Sequence, residues 1–95
     1  MECSAVRFTG HAFERLFSRA ISPDSVLRII QEGEMIASYP DDTPFPSVLI
    51  LGFEKRAPIH VVVAKKPGTG TCFVVTVYRP DPDLWSNDFK TRRQP

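Results

Sequence analysis

His11, His60 and Tyr78, together with Arg15, Arg19 and Arg79, are the residues of this 95-residue chain whose types could do chemistry. An imidazole moves a proton near neutral pH, a phenol donates a hydrogen bond, and a guanidinium holds a planar or tetrahedral anion through paired N–H groups. His11, Arg15 and Arg19 follow at successive i, i+4 steps, so a helix here would carry them as one polar, basic stripe. Each also has a plainer reading. His11 can bond nearby backbone, and the two arginines can solvate a helix or pair with Glu14, Glu32 or Glu34. His60 can be a hydrogen-bonded, half-buried strand residue, and Tyr78 an aromatic at the edge of a core.

Helices and strands must position these groups. Ala12, Phe13, Leu16, Phe17 and Ala20 recur at helical spacing over Gly10 to Ala20, with Thr9 as the N-cap. Ser22-Pro23-Asp24 opens a second helix with a cap residue, a proline at its first position and an acid in its first turn, and Gly33 is placed to end it. The period then changes to two, near Met35 to Tyr39, Val48 to Glu54, Ile59 to Ala64 and Thr71 to Tyr78. Hairpin-length connections make the last three an antiparallel meander, and Val6 to Phe8 could add an edge strand. The expected class is α+β: two N-terminal helices packed on one face of a curved antiparallel sheet of about four strands.

Symmetric turns would set Gly52, His60 and Thr76 side by side. One face would then carry Ile50, Gly52, Glu54, His60, Val62, Ala64, Cys72, Val74, Thr76 and Tyr78. The other, with Leu49, Leu51, Phe53, Ile59, Val61, Val63, Phe73, Val75 and Val77, is bulkier and wholly apolar, so the helices are expected there. The first face is left partly open as the candidate site, with Gly52 leaving space beside the imidazole.

At this length the expectation is one α+β domain over residues 1–80, and 81–95 is a tail that Trp85 can anchor. Twelve Lys and Arg against 11 Asp and Glu give a net charge of +1, so any anion site must be local. Arg15, Arg19, Arg79, Arg92 and Arg93 could gather on one surface if the tail folds back. No apolar run approaches the roughly 20 residues of a membrane span, and no secretory leader is seen, so a cytoplasmic setting without a membrane partner is expected. Cys3 and Cys72 lie far apart with no CxxC or metal spacing, and read as reduced thiols. No ligand spacing such as HxxxH, no P-loop and no GxGxxG occurs, so neither metal nor cofactor is expected.

The strings HAFERLFSRAIS, GEMIASYPDDTPFPS, IHVVVA and VVTVYRPD together resemble a small bacterial family, the domain of unknown function numbered 4258, over nearly the whole chain. That family is similar to the RelE and BrnT type toxins, whose open sheet face meets RNA, usually beside an antitoxin. The resemblance implies a RelE-like fold and an RNA-binding protein or metal-independent mRNA endonuclease, with RNA or the ribosome and an antitoxin as partners. It matches His11, Arg15, Arg19, His60 and Tyr78 to the family's recurrent polar positions. Cleavage by the RNA's own 2′-hydroxyl would use His11 or His60 as base or acid, Tyr78 as donor and Arg15 and Arg19, with Arg79, on the phosphate. Toxins of this type are markedly basic, whereas this chain is nearly neutral. The rival is a non-catalytic module that binds a protein or forms a homodimer.

Overall fold

The computed structural model describes residues 1–94. Its order is β1 (Ala5–Phe8), α1 (Gly10–Arg19), α2 (Pro23–Glu32), β2 (Glu34–Tyr39), β3 (Ser47–Glu54), β4 (Ala57–Lys65) and β5 (Thr71–Tyr78). Both helices start where the caps demand. The Thr9 hydroxyl accepts from the Ala12 N–H and the Ser22 hydroxyl from the Ser25 N–H, each filling one orphan donor of a first turn. The class is α+β, with five strands rather than about four, in the order β1-β5-β4-β3-β2. The sheet is mixed, because β1 runs parallel to β5 while the other pairs are antiparallel.

The parallel β1–β5 pair overturns the reading of the cysteines. Ala5 opposes Thr71 and Val6 opposes Cys72, so Cys3 and Cys72 come to 5.7 Å between Cα atoms and are joined as a disulfide. Their separation of 69 residues in sequence carries no trace of this proximity.

Two local features alter the expected faces of β3 and of the first half of β5, while Ile59, Val61, Val63 and Val77 face the helices and His60, Thr76 and Tyr78 face away, as expected. Between β3 and β4 the turn holds only Lys55 and Arg56, with Lys55 left-handed at φ 58°, so Glu54 opposes Ala57. Register therefore moves by one residue, and His60 lies between Leu51 and Tyr78 rather than beside Gly52 and Thr76. In β5, Val74 opposes Val63 and Thr76 opposes Val62, leaving Val75 as a bulge. The bulge reverses the alternation, so that Cys72, Val74 and Val77 all join the core.

That core lies between the helices and one sheet face. Ala12, Leu16, Val26, Ile29 and Ile30 pack with Ile50, Ile59, Val61, Val63 and Val74, all nearly sealed from solvent. Gly52 belongs to this face: a Cβ there would sit 2.4 Å from Ile29 Cγ1, so the glycine makes room for α2 and not for an imidazole.

Overpacking at this contact is expected to cost Gly52→Ala about 1 to 3 kcal/mol, read as a lower denaturant midpoint at unchanged m-value. Closing a loop of this length restricts the unfolded chain, so reduction or Cys3→Ser is expected to remove about 4 kcal/mol of stability; an unchanged midpoint in excess reductant would contradict the pairing.

Candidate functional site: the edge of the last strand and the two histidines

β1 pairs with β5 only as far as Val74, and α1 serves the edge beyond it. The Thr9 N–H donates to Val74 O at 3.2 Å, the Thr9 hydroxyl to Val75 O at 3.2 Å, and the Arg19 guanidinium to Val77 O at 2.6 Å. Unpaired carbonyls of an edge strand are thereby satisfied by the backbone and side chain of the N-cap and by a side chain of the helix. The same placement brings the His11 Nε2 to 3.2 Å from the Thr76 hydroxyl. His11 is exposed, and Arg15 and Arg19 are half-buried on the same flank of α1.

The plainer reading of these arginines offered two fates, solvating the helix or pairing with a carboxylate, and the structure decides only the second. Among the described residues the ion pairs are Arg79–Glu54 at 3.5 Å and Lys90–Glu34 at 3.0 Å, so Arg15 and Arg19 have none. Arg79 is used by the fold: it meets Glu54 and reaches the carbonyls of Arg19 and Ala20 at the end of α1. Glu54 in turn receives the Ser25 hydroxyl at 2.7 Å at the start of α2. That bond, more than the Ser22 N–H or Arg79, holds its carboxyl below the usual range against the opposing effect of burial.

His60 stands apart from this edge. Its ring lies on the sheet face away from the helices, and the tail folds back over it. The Trp85 indole meets the imidazole edge to face at 4.4 Å between centroids, and His60 is 0% exposed. Its Nε2–H donates to the Phe89 carbonyl at 2.8 Å. A carbonyl only accepts, so Nε2 carries the proton and Nδ1 accepts from the Tyr78 hydroxyl at 3.1 Å. Burial lowers the proton affinity of the imidazole, opposed in part by the Phe89 carbonyl, and burial raises that of the Tyr78 phenol. The face expected to be open is thus covered at His60.

Of the six candidate residues, the fold joins His60 with Tyr78, and sets His11, Arg15 and Arg19 on one helix flank with Arg79 at its end. These are two groups, linked through Thr76 and Tyr78, which follow each other on one face of β5. Arg92 and Arg93 do not join them: Arg92 stacks 5.7 Å from the Trp85 centroid, and Arg93 bonds Pro82 O and Asn87 Oδ1. Thr76 and Phe89 O are the partners that the sequence did not single out for these roles. The alternation of β5 marks Thr76 as a strand residue, but no local signal marks a backbone carbonyl.

His60 is held neutral, so the unfolded chain binds one more proton than the folded one between the ordinary histidine value and the lowered one. Stability from this site is complete above the ordinary value and falls as pH drops through that window. The denaturant midpoint is expected to fall between pH 7.5 and 5.5, and to fall less in His60→Gln, which keeps a donor and an acceptor but cannot titrate. An equal decline in both proteins would contradict a buried neutral imidazole.

No curated protein and no solved structure matches the chain. A family model does, over residues 8–79, from the end of β1 to the residue after β5. The matched span takes in both helices, the rest of the sheet and every candidate site residue, and leaves the segment over His60 outside. By that match the chain belongs to the family described as Domain of unknown function (DUF4258).

Proposed function

We propose that this protein binds RNA through the α1–β5 edge, as a toxin-like relative of the RelE and BrnT type proteins. The observation that carries the reading is the pair of arginines, Arg15 and Arg19, without a carboxylate partner beside an exposed histidine. In a chain of net charge +1, cations without a carboxylate partner on one flank favour a local anion site, to which Arg19 brings the N–H groups it does not give to Val77 O. Phosphate is the RNA group that suits them, since a guanidinium grips it through two N–H groups.

His11 is the proton-transfer group of this reading. In metal-independent scission the 2′-oxygen attacks the adjacent phosphorus and its proton passes to the imidazole. The bond to the 5′-oxygen then breaks, that oxygen takes a proton from water, and the imidazolium returns its proton to solvent, leaving a 2′,3′-cyclic phosphate and a 5′-hydroxyl. Arg15 and Arg19 stabilise the charge that builds on the phosphorane. His60 and Tyr78 stand outside the step while the tail covers them.

A second reading has its own observation. Phe13 and Phe17 are 52% and 77% exposed and stack edge to face at 5.5 Å on α1. An aromatic pair in water favours a protein partner, an antitoxin or a second copy.

Titration of labelled single-stranded RNA at several salt concentrations, in oxidised and reduced protein, separates the two. Arg15→Ala is expected to weaken binding to all sequences alike and to lower the salt slope by about one. His11→Ala is expected to abolish cleavage while binding persists. Wild-type protein that retains no RNA at low salt, yet sediments as a dimer that Phe17→Ser dissolves, would establish the second reading instead.

A further inference from the structure

Segment 81–94 lies beyond the family match, yet it covers the buried histidine within it. Its hydrogen bonds are mostly its own. The Leu84 and Trp85 N–H groups donate to Asp81 O, the Ser86 N–H to Thr91 O and the Arg93 N–H to Leu84 O. The Ser86 hydroxyl and the Lys90 N–H share Asp88 Oδ1, and Trp85 and Arg92 face each other as an antiparallel bridge. Among the described residues, one hydrogen bond reaches the rest of the chain, from His60 Nε2–H to Phe89 O. One ion pair, Lys90–Glu34, joins it, with both side chains 42% and 57% exposed and therefore weakly held. Its apolar anchor is Trp85, buried to 8% exposure with the indole edge to face on the His60 ring.

A segment bonded within itself and fastened at few points can leave without unfolding what lies beneath. We propose that 81–94 is a strap that detaches as a unit from the folded domain and, in place, occludes part of the RNA-binding surface. The second half rests on the RNA reading given above. His11, which stays exposed, bonds Thr76, and Tyr78 bonds the His60 that the strap covers; Thr76 and Tyr78 share a face of β5. Detachment turns these four into one open row from the α1 edge to β4, and frees His60 Nε2–H, a donor now spent on Phe89 O, for a phosphate or base.

Carbethoxylation by diethyl pyrocarbonate, located by mass spectrometry, reads this in the full chain. In the wild type His11 is expected to react quickly, and His60 slowly but faster than the sheet unfolds by circular dichroism. Trp85→Ala is expected to lose the protection of His60 with its sheet signal intact. A strap open about a tenth of the time lowers affinity about tenfold, so Trp85→Ala is expected to bind labelled single-stranded RNA about tenfold more tightly. Protection of His60 that persists in the folded variant, or is lost only with the sheet, would overturn detachment. Equal RNA affinity in the two proteins would overturn occlusion. Loss of protection with no RNA binding by either protein would overturn the RNA reading and leave the detachable strap standing. Should Trp85→Ala not fold, the wild-type rate decides: modification of His60 no faster than global unfolding overturns the strap.

Discussion

Beyond Val74 the carbonyls of β5 that face away from β4 have no strand to pair with, and the way α1 satisfies them fixes what the protein presents to solvent. β1 ends after four residues, and the chain turns into a helix capped by Thr9. That threonine accepts from Ala12 N–H and donates to Val75 O, so one side chain both starts the helix and ties it to the edge. Arg19, nearly three turns on, closes the other end by donating to Val77 O. Between these two ties the helix cannot roll, so His11 faces Thr76 and the Phe13–Phe17 pair points elsewhere.

The two histidines show how environment divides one residue type into two roles. His60 is enclosed by Tyr78, Trp85 and the Phe89 carbonyl, with both ring nitrogens occupied and the neutral form favoured. In this arrangement it specifies the fit of segment 81–94 on the sheet, as a satisfied buried polar group does. His11 keeps access to solvent and lies beside the cations that have no carboxylate partner. Proton transfer to a bound ligand is thus open to His11 in the strapped form.

Much of the scaffold was legible in the residues. Thr9, Ser22, Pro23 and Gly33 mark the helix limits through cap chemistry, which is local and so readable from a few neighbours. The faces of β4 and of the end of β5 were legible too, but those of β3 and of the first half of β5 were not. A two-residue turn at Lys55-Arg56 in place of a longer one shifts β3 by one position against His60, and the bulge at Val75 gives Cys72 and Val74 the face opposite to the one that alternation back from Tyr78 assigns them. Neither leaves a mark in a run such as VVTVY, where valines suit both faces. The disulfide was hidden for a related reason, since Cys3 meets Cys72 only through a parallel pairing of distant segments. At the site, the i, i+4 spacing identified the basic flank, while the seal over His60 depends on a carbonyl that no side-chain pattern reveals.

The account turns on His11 facing the ligand while His60 is locked in one tautomer. A long-range nitrogen–proton correlation spectrum of the two imidazoles, recorded with and without single-stranded RNA, reads both at once. The account predicts a His60 ring protonated at Nε2 alone under neutral conditions, and His11 signals that move on adding RNA. A His60 ring exchanging between tautomers like a free imidazole, with His11 unmoved by RNA, would contradict it.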